Sequence, residues 1–179
     1  MNKKIAVTLA ALGFLGAASS AFASDGTITI NGKVIDATCV VNISGAGSGT
    51  TTVTLPTVSK SVLSTAGSTA GQTLLQLNLT GCPTSGAARA FFESTNVDLG
   101  TGFLINKATT PAQNVQVQVL NNTTSTPLDL RDGGNANNAY VAFDASGNAQ
   151  LPYALRYVAN GVSTAGDVQT QLVYSIQYQ

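Results

Sequence analysis

Hydrophobic and polar positions alternate with a period of two along much of this chain, and nothing after residue 23 keeps a helical period of useful length. Gln72–Thr80 sets Leu75, Leu77 and Leu79 against Gln76, Asn78 and Thr80. Gln113–Leu120 sets Val115, Val117 and Val119 against Gln116, Gln118 and Leu120. Asp167–Gln179 is the longest such run, with Val168, Thr170, Leu172, Tyr174, Ile176 and Tyr178 on one face. Shorter strands are predicted over Val34–Val41, Thr50–Leu55, Arg89–Glu93 (Phe91 or Phe92 turned inward), Gly102–Ile105 and Asn148–Val158. Pro152 predicts an edge or a bulge in the last of these, because proline has no N–H to give a ladder. Gly45–Gly49 reads as a loop, Val58–Gly71 as a connection with one helical turn near Lys60–Leu63, and Asp132-Gly-Gly-Asn after Leu128–Leu130 as a turn. Short strands between turn signals predict an all-β sandwich.

Two stretches do not fit a closed sandwich. The final strand is long and apolar on one face, and it needs a neighbour on each side or it exposes unpaired N–H groups and apolar area. Near the front, Asp25–Ile35 also alternates, with Gly26, Ile28, Ile30, Gly32 and Val34 pointing one way and Thr27, Thr29, Asn31, Lys33 and Ile35 the other. It could be an ordinary first strand pairing within its own domain. Its position at the front of the exported chain favours a strand that completes the sheet of another molecule.

The chain opens with Asn2, Lys3 and Lys4, an apolar run from Ile5 to Ala18, and Ala21-Phe22-Ala23. A charged start, a short apolar stretch and an A-x-A site predict a secretory signal peptide over residues 1–23. The run is short for a membrane span. Of eight basic and eight acidic residues, Lys3 and Lys4 leave with the signal, so six against eight gives the exported chain a charge of −2. So few charges leave no basic patch for nucleic acid. Thr, Ser, Asn and Gln supply the polar face, which suits dense packing of identical copies without repulsion. Two cysteines, Cys39 and Cys82, in an oxidising compartment argue for one disulfide. It would close a loop of about 43 residues, with roughly 4 kcal/mol of stabilisation by the chain-entropy estimate.

Catalytic and metal chemistry find little here. The chain has no His, hence no Ser-His dyad, and no C-x-x-C. Asp129, Asp132 and Asp144 sit in turn-like contexts without clustered spacing. Asp129–Asn138 lacks the ordered ligand pattern and closing Glu of a Ca²⁺ loop. The glycines of 45–49 are not followed by the Lys-Ser/Thr of a phosphate loop. No enzyme and no cofactor is expected.

Several motifs, in order, resemble the fimbrial (pilin) subunits of the chaperone–usher pathway. They are Gly32-Lys-Val-Ile-Asp-Ala-Thr-Cys39, Leu77-Asn-Leu-Thr-Gly-Cys82-Pro83, Phe103-Leu-Ile-Asn, Pro111–Leu120, Leu151–Ala159 and Leu172–Gln179 with its penultimate Tyr178. Gly166 matches the glycine this family places before its last alternating strand. Asp25–Ile35 with Leu55–Lys60 looks closest to serotype-fimbria major subunits, whereas the short Ser24–Asn31 stretch is more like certain adaptor subunits. The resemblance implies an incomplete immunoglobulin-like sandwich over residues 32–179 that lacks its seventh strand, with an N-terminal donor-strand extension over 24–31. It implies Gly26, Ile28, Ile30 and Gly32 as donor residues. Gly166, Val168, Leu172, Tyr174, Ile176 and Tyr178 would form the last strand, which takes first a periplasmic chaperone strand and then, at an outer-membrane usher, the extension of a related subunit. The implied product is a fimbrium at the cell surface. The competing expectation is a standalone secreted carbohydrate- or protein-binding sandwich, a monomer whose first strand pairs within its own domain.

Overall fold

The structure is a computed structural model that describes residues 51–134 and 136–179, together with 39–43, 47–48, Thr29 and Gly32. The unit spanning Asp36–Gln179 is all-β. Its strands are β1 (Val40–Ile43), β2 (Gly47–Ser48), β3 (Thr69–Thr80), β4 (Ala87–Phe92), β5 (Leu104–Ile105), β6 (Val115–Asn121), β7 (Thr126–Pro127), β8 (Val141–Ala142), β9 (Ala149–Ala159) and β10 (Tyr174–Tyr178). One sheet runs β2-β1-β3-β9-β6-β5 with β7 beside β6, the other β10-β4-β8, and every strand pair in them is antiparallel. Single 3₁₀ turns occupy Lys60–Leu63, as the sequence predicts, and Ser94–Asn96 and Leu130–Asp132.

Period-two patterning determines which side chains meet between the sheets. Leu75, Leu77 and Leu79 of β3, Val117 and Val119 of β6, and Leu151 and Tyr153 of β9 pack with Ala88, Ala90 and Phe92 of β4, all buried. The two alanines leave room for the bulky residues opposite, and Phe92 meets Tyr153 edge-to-face at 5.0 Å. Phe92, not Phe91, is the inward residue. A disulfide joins Cys39 to Cys82, whose Cα atoms are 4.4 Å apart. Cys39 precedes β1, Cys82 follows β3, and Val40 pairs with Thr80, so the bond staples the end of the β1–β3 pair.

Four expectations are corrected. Pro152 is not at an edge: β9 lies between β3 and β6. Its carbonyl accepts Asn122 N–H on the β6 side, so its missing N–H also faces that side, one residue past the end of β6. Little of the ladder is lost there. Residues 51–55 form no strand, although Val53 and Leu55 do pack against the core. Gly47–Ser48, read as loop, is a short strand returning on β1. Finally, β6 is buried on both faces, because Gln116 donates to Asp98 Oδ2 at 2.8 Å and Gln118 Oε1 accepts from Arg156 Nε at 2.7 Å. Polar side chains can be buried on the outer face when they find such partners, although Gln116 Oε1 is buried without one.

Candidate functional site

The last strand is the candidate site, and it is shorter than predicted. Regular pairing covers Tyr174–Tyr178 against Ala88–Phe92, while 168–173 carries on in the same alternation without a ladder. Gly166 opens this stretch for a steric reason. A Cβ there would lie 2.6 Å from the Pro111 carbonyl carbon and 2.8 Å from Ala112 Cα. Only glycine lets the chain pass so close and then bond, Asp167 N–H to Thr110 O and Ala112 N–H to Asp167 O.

From there the odd residues turn their backbone toward the rest of the domain. Gln169 O accepts Lys107 N–H (2.7 Å), Val173 O accepts Glu93 N–H (2.9 Å), and Gln179 exchanges two bonds with Ala87 (2.9 and 3.1 Å). In extended chain, successive residues present their N–H and C=O to opposite sides. The even residues, Val168 to Tyr178, therefore present theirs to the other edge, where no strand pairs with them among the described residues.

Their side chains give a second, independent sign of an unfinished surface. Val168, Leu172, Tyr174, Ile176 and Tyr178 all pack against the main core, yet every one is only half-buried. Thr170 Oγ1, in the middle of this row, is buried without a hydrogen-bond partner. Desolvation pushes the Tyr178 phenol above its ordinary pKa, as fits a ring lying on apolar ground beside Phe143. A second extended stretch outside the named strands borders the same core, with Thr51, Val53 and Leu55 half-buried and Thr52 and Thr54 exposed. Val58 and Val168 both pack on the small cluster of Leu63, Ala112, Val115 and Ala159.

The predicted site residues are thus partly brought together. Gly166 and the even row from Val168 to Tyr178 line one edge, and Cys39 and Cys82 are bonded. Of the donor residues, Gly26, Ile28 and Ile30 lie outside the described residues, and Gly32 is exposed and outside any regular element. Sequence reading missed Asn96 and Asn106, which hold this edge by their side chains. The quoted Phe103-Leu-Ile-Asn motif contains Asn106, but nothing in it announces that role.

The acidic residues do structural tasks. Asp129 pairs with Arg131, and this hydrogen bond holds its carboxyl below the usual range. Asp144 Oδ1 accepts the Asn148 and Ser146 N–H groups, each at 2.8 Å, which lowers its pKa too. Asp144 lines a cleft of about 570 Å³ with Asn78, Thr80, Asn148 and Gln150, already committed to its own turn.

A family model described as type-1 fimbrial protein, A, matches residues 55–179. The chain belongs to the type-1 fimbrial protein A family. The major fimbrial subunit SMF-1 of Stenotrophomonas maltophilia is 42% identical over 163 residues, covering 89% of this chain and 95% of that protein. The F17 fimbrial protein of Escherichia coli is 42% identical over 176 residues, covering 94% and 96%. Among solved structures, a chain of a chaperone–usher pilus superposes with a TM-score of 0.57 at 19% identity, covering 87% of this chain and 96% of that one. The fimbrial subunit therefore has the immunoglobulin-like sandwich of such pilins and is a structural component of a chaperone–usher fimbria, not an enzyme. Such subunits polymerise with related subunits into fibres outside the cell.

Proposed function

We propose that the open edge along Val168–Tyr178 accepts the Ser24–Asn31 extension of another copy, exposed once the 1–23 signal peptide is removed, so that subunits join by donor-strand exchange. The observation that carries this is the even row, where backbone that pairs with no strand among the described residues and half-buried apolar side chains coincide. Strand addition at a sheet edge draws its affinity from main-chain bonds and its specificity from alternate side chains, and the complementation of pilins is a known instance of that mode. Burying Ile28 and Ile30 contributes roughly 3–6 kcal/mol at about 1.5–3 each. Each new ladder bond adds about 1 kcal/mol net. A one-residue slip would turn Thr27, Thr29 and Asn31 inward and lose most of the apolar part.

The same edge, unfilled, is too sticky to travel alone. On this reading a periplasmic chaperone lends a strand to it during export, and the outer-membrane usher is where the next subunit's extension takes over. Similarity to major fimbrial subunits supports a place in the shaft over an adaptor position.

Reciprocal charge substitutions test the exchange. Ile28→Asp should remove the donor and keep the acceptor, and Ile176→Asp the reverse. Neither variant alone should form fibres, and the two mixed should stop at dimers, as read by electron microscopy and denaturant-free gel mobility. Normal filaments from Ile28→Asp alone overturn the donor assignment, and normal filaments from Ile176→Asp overturn the acceptor.

A further inference from the structure

We infer that the carboxamides of Asn96 and Asn106 stand in for a neighbouring strand along 167–171, and so position half of the acceptor edge for the incoming donor. The inference rests on the donor-acceptor reading above. Strand β4 ends at Phe92, and the last backbone bond it leads to is Glu93 N–H to Val173 O. Upstream of Val173 the inward side of the last strand has lost its ladder.

Two side-chain amides fill that place. Asn106 Nδ2 donates to Asp167 O at 2.8 Å and to Ala112 O at 3.1 Å. Its Oδ1 accepts Gln169 N–H at 3.0 Å and Ala108 N–H at 3.1 Å. A carboxamide has two donors and two acceptor sites, so this one is fully used. Asn96, buried to 7% exposure, donates Nδ2 to Gln171 O at 3.0 Å, and its Oδ1 accepts Lys107 Nζ. The Lys107 N–H completes the row by donating to Gln169 O.

A carboxamide carries the same donor and acceptor as a peptide group, which is why it can substitute for one here. The edge therefore has two halves of different construction. Residues 173–178 are held by a sheet, whereas 167–172 are held by the two asparagines together with isolated backbone bonds at Asp167 and Gln169. The two amides join the backbone bonds at Asp167 and Gln169 in keeping Val168, Thr170 and Leu172 in register to face the donor.

Binding of a fluorescent peptide of residues 25–35, and of peptides shortened stepwise from either end, tests the role. The protein is the full chain recovered from expressing cells, as wild type, Asn106→Ala or Asn96→Ser. Wild type should lose affinity on shortening from both ends. Asn106→Ala should bind the whole peptide about tenfold more weakly, a factor expected when one or two hydrogen bonds stop positioning a contact. It should also become indifferent to shortening at one end, while matching wild type for peptides already cut there. Asn96→Ser should do the same more mildly. Equal weakening for every peptide, or no change, overturns the positioning role. If wild type binds no peptide, the donor-acceptor reading itself fails and this role fails with it.

Discussion

The Tyr153 hydroxyl of β9 accepts the Ala90 N–H of β4 across the sandwich at 3.0 Å and donates to Asn138 Oδ1 at 2.9 Å. Asn138 Nδ2 in turn donates to Ala90 O at 2.7 Å. Strand β8 pairs β4 only at Ala87 and Ala88, so these two side chains satisfy the next stretch of that edge. One edge of the small sheet is thus closed by the protein's own side chains, while among the described residues no strand closes the edge along β10.

Replacing Tyr153 with Phe leaves the Ala90 N–H and the Asn138 carbonyl buried without partners. The expected loss is about 1–3 kcal/mol near neutral pH, read as a shift in the urea midpoint. The pH dependence carries its own sign. Burial pushes the Tyr153 phenol above its ordinary value of 10.0, so the folded state keeps a proton that the unfolded chain releases. That stability is complete below pH 10 and is lost as pH rises toward the folded value. Wild type should therefore lose stability above pH 10 more steeply than Tyr153→Phe.

The Cys39–Cys82 bond closes a loop with a sequence separation of 43. Cys39→Ser with Cys82→Ser should lower unfolding free energy by about 4 kcal/mol on the chain-entropy estimate, measured by urea titration of both forms. The β1–β3 end should exchange its amide hydrogens first, since the staple lies there.

Gly166→Ala tests the close pass before the last strand. A Cβ at that position must push away the Pro111–Ala112 backbone, so the bonds joining Asp167 to Thr110 and Ala112 should weaken. The expected cost is about 1–3 kcal/mol, with faster hydrogen exchange at Asp167 and Ala112 and little change at Leu77 or Val119.

Much of this was legible because it depends on side-chain period alone. Leu75, Leu77, Leu79 and the even row from Val168 to Tyr178 face where alternation puts them. Pairing is another matter, since it depends on what lies alongside. Asp167–Gln179 alternates throughout, yet becomes ladder only where β4 is present to receive it. Thr51–Leu55 alternates too and is not a strand. Pro152 misled because the sequence does not say that β6 stops beside it, and Asn106 was silent because a carboxamide imitating a peptide leaves no pattern.

The run from Val168 to Gln179 contains no lysine, no proline and no charged side chain of any kind. Those are the usual guards that keep a bare strand from recruiting whatever extended chain drifts past. If this edge takes a donor strand as proposed, an unguarded margin of this length makes fidelity a matter of scheduling: the right occupant must arrive before a wrong one does.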